Sequence, residues 1–106
     1  MQAELTDRPT PAALLLSDPS RWTRKADARD ARGHAVTPRD LTACAWCLHG
    51  AMRRCYGYGT SEFFAAAARV EQLLDARRYR GGLIAWNDVT GRTYDEVRDL
   101  VRRAGV

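Results

Sequence analysis

The sequence predicts a mostly α, α+β fold: a compact bundle of three to four helices with a small N-terminal β-hairpin. Three observations point to it. Segments after residue 37 carry helix start and stop signals around apolar stripes of helical spacing. An earlier segment around Trp22 alternates and then meets a turn signal. The chain has 106 residues, 45% hydrophobic and 28% charged, which is the size and composition of one globular domain. Residues 1–9 read as a flexible N-terminus and residues 10–106 as that domain.

Thr10 is placed to cap a short helix with Pro11 at its first position, where a missing N–H costs nothing. Asp18-Pro19 ends it, because the residue before proline avoids the α region. In "RWTRKADARDARGHAVTP", Trp22, Arg24, Ala26 and Ala28 fall on one face of a strand. "DARG" supplies the turn and Ala35-Val36 the return strand. Thr37 and Pro38 then start a helix expected over 38–55, with Asp40 in its first turn and Gly57 and Gly59 stopping it. Thr60 or Ser61 caps the next helix, expected to reach Tyr79 and stop at Gly81-Gly82. "LIAW" at 83–86 is too short to assign. Thr93 and Glu96 form a capping box for a last helix with Val97, Leu100, Val101 and Ala104 on its apolar face.

On the 38–55 helix, Leu41, Cys44, Ala45, Leu48, Met52 and Cys55 share one face, expected to be core. Trp46, Gly50 and Arg53 share the other. Glycine inside a helix costs about 1 kcal/mol relative to alanine. Gly50 is therefore expected to admit a close neighbour, with the "FFAAAARV" helix as the natural partner. Cys44 and Cys47 have the spacing of half a zinc site or a redox pair. On this helix they would lie past the first turn, and His49 would point roughly 200° away from Cys47. The reading is structural thiols, with no metal and no cofactor. Trp22, Trp46, Cys47, Gly50, Thr93 and Glu96 are the expected structural residues.

The net charge is +4, from 17 basic and 13 acidic residues. Arg53-Arg54, Arg77-Arg78-Arg80 and Arg102-Arg103 fall at expected helix C-termini, where cations complement the helix dipole. No apolar run approaches the roughly 18 residues of a membrane span. Acids precede any apolar run at the start, unlike a signal peptide. An odd number of cysteines fits a reducing cytoplasm better than a disulfide scaffold. No nucleotide, metalloprotease or serine-hydrolase motif is present, and no catalytic residue is assigned.

The second polar stretch is "IAWNDVTGRTYDEV". Asn87 and Asp88 either tie a loop to backbone N–H groups or, with Trp86 and Arg92, form a binding patch. "RWTRKADARDARGHAV", "WCLHGAM" and "WNDVTGRTYDEV", in this order, resemble an uncharacterised family of small proteins from actinobacteria and their phages. The resemblance covers about residues 13–104. Trp46, Cys47, Gly50, Ala51, Trp86, Asn87 and Asp88 match its pattern, whereas Cys44, His49 and Cys55 stand outside it. What it implies is a phage or mobile-element accessory protein. The first functional expectation is accordingly a non-catalytic binding protein that inhibits a host protein or complex, a defence system such as CRISPR-Cas being one target. Nucleic-acid binding through arginine-rich helix ends is the second, and a small-ligand or enzymatic site at the Trp-Asn-Asp stretch the third.

Overall fold

A computed structural model describes residues 10–74 and 82–106. Among these residues the order is α1 (Pro11–Leu15), a 3-10 turn (Pro19–Arg21), β1 (Ala28–Arg29), β2 (Ala35–Val36), β3 (Ala45–Trp46), α2 (Leu48–Tyr56), α3 (Ser61–Glu71), α4 (Gly82–Asp88) and α5 (Tyr94–Ala104). This is the α+β class that the sequence predicts. The expected N-terminal flexibility and the Arg77-Arg78-Arg80 cluster lie outside the described residues.

Helix α2 is the centre. It packs against α1, α3 and α4, while α5 closes the other side against α1 and α3. Leu48, Ala51 and Met52 of α2 are fully buried against Phe63, Ala66 and Val70 of α3, Leu83 of α4, and Val97, Leu100 and Val101 of α5. Several caps are those the sequence announces. Thr60 accepts from the Phe63 N–H at 3.1 Å. The Thr93–Glu96 box is closed in both directions, at 3.2 and 2.9 Å. The Tyr94 hydroxyl donates to the Leu16 carbonyl at 2.5 Å and ties α5 to the end of α1.

The hairpin is present but shorter than expected. Ala28 pairs with Val36 and Arg29 with Ala35. Residues 23–27 leave the strand path, and Lys25 takes a positive φ of 64°. Trp22 meets the sheet only through an isolated bridge to Trp46. The expected helix to Tyr79 ends at Glu71, and its remaining stretch falls largely outside the described residues. "LIAW" belongs to α4.

The largest correction concerns the helix expected over 38–55. Residues 37–44 form turns, and Ala45-Trp46 add a third strand to the open edge of β1, giving the order β2-β1-β3. Local hydrogen bonds win over helix here. The Asp40 carboxylate accepts from the Thr42 N–H at 2.8 Å and from its hydroxyl at 2.6 Å. The Cys44 N–H then pairs with the Arg29 carbonyl at 2.9 Å. Leu41 is 100% exposed and Cys44 is exposed, so neither faces the core. Trp46 is buried from a strand, and its indole N–H donates to the Pro38 carbonyl at 2.9 Å. Gly50 does admit a close neighbour, but that neighbour is the Asp27 backbone and not the α3 helix: a Cβ at Gly50 would stand 2.6 Å from the Asp27 carbonyl carbon and overlap its oxygen.

Candidate functional site

Starting α2 at Leu48 leaves its first-turn N–H groups in need of acceptors. One long-range side chain and one local thiol provide them. Asn87 is fully buried, the only buried polar side chain among the described residues. Its Oδ1 accepts from the Leu48 N–H at 3.0 Å and from the Trp22 indole N–H at 2.8 Å. Its Nδ2 donates to the Thr23 carbonyl at 3.1 Å and to Asp88 Oδ1 at 3.0 Å. Both amide hydrogens and both acceptor directions are thereby used inside the protein.

Asp88 Oδ1 also accepts from the Lys25 N–H at 2.9 Å, and Arg24 donates to the Asp88 and Val89 carbonyls at 2.8 and 2.7 Å. Arg92 covers the Trp86 ring at 3.9 Å, donates to the Trp86 carbonyl at 2.9 Å and pairs with Glu96 at 3.1 Å. The structure thus brings Trp86, Asn87, Asp88 and Arg92 together as the sequence suggests. It places the first three on helix α4 instead of a loop, and it turns the Asn87 amide and Asp88 Oδ1 onto Trp22 and the segment after it.

A second cluster forms around Asp27, just before β1. Its backbone carbonyl lies against Gly50 and accepts from the Cys47 N–H at 3.2 Å. Its carboxylate receives Arg53 at 2.5 Å on one oxygen and His49 Nδ1 at 3.0 Å on the other. Burial pushes the Asp27 carboxyl up. The hydrogen bonds and charges of His49 and Arg53 outweigh it, so the group titrates below its ordinary value. Arg53 also lies over the Tyr58 ring at 4.8 Å.

Cys47 completes this cluster as the N-cap of α2. Its Sγ accepts from the Gly50 N–H at 3.2 Å and its thiol donates to Asp27 at 3.5 Å. The sequence reading put Cys47 past the first turn, and the structure places it at the cap. A helix N-terminus ordinarily lowers a thiol pKa. Here burial, with the Asp27 charge adding to it, pushes the thiol up to about 12. Cys47 is therefore a poor nucleophile, and all three cysteines are free. Among the described residues, no group of three or more His, Cys, Asp and Glu side chains is placed to hold a metal ion.

His49 is where the two faces of the cluster differ. One ring nitrogen is engaged by Asp27. The ring also lines a cleft of about 270 Å³ with Tyr58, Phe63, Phe64, Ala67, Glu71, Leu83 and Ile84. Edge-to-face contacts hold the imidazole against Phe63 at 5.8 Å and Tyr58 at 6.1 Å, and Phe63 in turn meets Phe64 at 5.4 Å. Tyr58, Phe64 and Ile84 are 66%, 60% and 46% exposed around this cleft. Sequence reasoning missed this site because Asp27 and His49 are 22 residues apart and no spacing rule joins them. The available signal was "SEFFAAAARV" itself: on the helix that Thr60 caps, Phe63 is buried and its neighbour Phe64 is left outside.

The chain belongs to a family of unknown function, DUF6197, whose model matches residues 9–105. No curated protein and no solved structure matches the chain. Among the described residues, no helix is long and apolar enough to cross a membrane.

Proposed function

We propose that this family member is a small non-catalytic binding protein and that the His49 cleft receives an apolar group of its partner. One observation carries the reading. The Asn87 amide and Asp88 Oδ1 are spent on internal bonds, whereas Tyr58, Phe64 and Ile84 stand exposed around a concave site with a histidine in its wall. Clefts with apolar walls and a few fixed polar groups are the usual form of a binding site. The resemblance to small actinobacterial and phage proteins supports the narrower reading, in which the partner is a cytoplasmic host protein and binding inhibits it. Helix α5 gives little support to nucleic-acid binding, because its arginines alternate with acids: Arg98 pairs with Asp95 at 3.5 Å and Arg103 with Asp99 at 3.6 Å.

The test compares three tagged baits in host lysate: the parent chain, Phe64→Ser/Ile84→Ser, and the surface control Arg98→Ala. The parent and the control are expected to retain the same partner and the cleft variant to lose it, with all three melting alike. Equal retention by the cleft variant overturns the site.

A further inference from the structure

The Asp27–His49 contact fixes more than the orientation of a ring. A carboxylate that already receives Arg53 is an acceptor only, so the hydrogen in the 3.0 Å contact to His49 belongs to Nδ1. In the neutral imidazole the other nitrogen, Nε2, is then the unprotonated one, an acceptor on the ring edge turned away from Asp27. Phe63 and Tyr58 hold the ring from its sides, so this edge cannot swing freely. Among the described lining residues the remaining charged group is the Glu71 carboxylate, also an acceptor. The walls are aromatic or aliphatic. The described lining therefore offers flat apolar surfaces and acceptors and carries negative charge at Glu71, whereas the Asp27 charge behind His49 is met by Arg53.

We infer that the cleft selects an aromatic group that carries its own O–H or N–H donor and no negative charge, as a phenol does, with the donor placed on His49 Nε2. The inference rests on the cleft being the binding site and specifies what that site takes. A phenol supplies a flat ring for Phe63, Phe64 and Leu83 and a hydroxyl that the imidazole accepts. A bare hydrocarbon would leave the Nε2 acceptor without a partner, which a buried polar group does not tolerate cheaply. A benzoate would bring a carboxylate toward Glu71. On the reading that the cleft receives a partner's group, the phenol is a tyrosine side chain of that protein partner, and a free phenol is an outcome that the experiment separates.

The experiment titrates the full-length chain with p-cresol, toluene and benzoate, followed by ¹H–¹⁵N spectra, and repeats the series with His49→Phe. The expected result is that p-cresol binds about fivefold or more tighter than toluene, the ratio of roughly one net hydrogen bond. Benzoate should bind more weakly than both. In His49→Phe the preference for p-cresol should vanish while toluene still binds, showing that the cleft is intact. An acetylated and amidated Ala-Tyr-Ala peptide decides the source: binding as tight as p-cresol assigns a partner's tyrosine, and weaker binding assigns a free phenol. Equal affinity for p-cresol and toluene overturns the inference and leaves the cleft standing as an apolar site. Binding of none of the three overturns it as well, and the bait comparison then decides separately whether the cleft is an interaction surface.

Discussion

Asn87 and His49 are both polar side chains bonded to partners far along the chain, and the two sites differ in what is left over. Around Asn87 the amide itself is fully used. Four hydrogen bonds satisfy it, Asp88 Oδ1 and both Arg24 carbonyl contacts tie it to the segment after Trp22, and the one orphaned buried atom there among the described residues is Arg24 Nε. Around His49 one ring nitrogen is satisfied by Asp27 and the other edge belongs to a cleft with exposed aromatic walls. A fully satisfied buried network rigidifies a fold and specifies one arrangement. A fixed polar group in the wall of an apolar cleft is instead the usual form of a binding site. The comparison separates the two roles that the Trp-Asn-Asp motif and the Trp-Cys-x-x-Gly-Ala motif leave undivided in the sequence.

The strongest way to break the comparison is Asn87→Ala. It leaves the Leu48 and Trp22 N–H groups and the Thr23 carbonyl without their partner, and it opens a small cavity. The expected loss is about 3–4 kcal/mol in urea denaturation. A loss under about 1 kcal/mol would mean that water replaces the amide and that the hub is dispensable.

Gly50→Ala comes next, because its methyl group would meet the Asp27 carbonyl. Backbone cannot rotate away as a side chain can, so the expected cost is about 2–3 kcal/mol. A change within about 0.5 kcal/mol would show that β1 and α2 are not locked at that point.

The Asp27 cluster gives a smaller, pH-dependent effect. Its folded carboxyl titrates below the unfolded value of about 3.9, so the unfolded state binds more protons as the pH falls. The stability it contributes is complete above about pH 4 and is lost as the pH drops through the lower folded value. In acid-titrated melts the parent should therefore lose stability more steeply below about pH 4 than Asp27→Asn, whose amide cannot titrate. Parallel curves would remove Asp27 from the account.

Phe64→Ser should have the smallest effect on folding, within about 0.5 kcal/mol, because the side chain already faces solvent. It sharpens the comparison by showing that the cleft rim is not retained for stability.

Much of the fold was legible for local reasons. The Thr93–Glu96 box, the Thr60 cap and the Gly57 stop act within a few residues, and each forms as its spacing suggests. The misread segment failed for an equally physical reason. Pro38 and Asp40 suit a helix start and also suit a turn, and the Asp40–Thr42 bonds together with the free edge of β1 decided for the turn. Leu41, assigned to the core by helical periodicity, is left in solvent as a result. Cys47 as an N-cap was invisible because serine, threonine, aspartate and asparagine are the residues that announce caps. The glycine at position 50 did signal a close approach, but the identity of the approaching backbone depends on a contact with Asp27, 23 positions away. The His49 cleft was illegible for the same reason: its polar wall is made by a pair that only tertiary structure brings together.

The division between brace and site is tested most directly by mapping amide and indole ¹H–¹⁵N shifts of the full-length chain on addition of p-cresol. The account predicts that the shifts gather at His49, Tyr58, Phe63, Phe64 and Ile84 while the Trp22 indole N–H, held by Asn87, stays in place. Shifts gathered instead at Trp22, Trp86, Asn87 and Arg92 would contradict it and make the Trp-Asn-Asp segment the binding site.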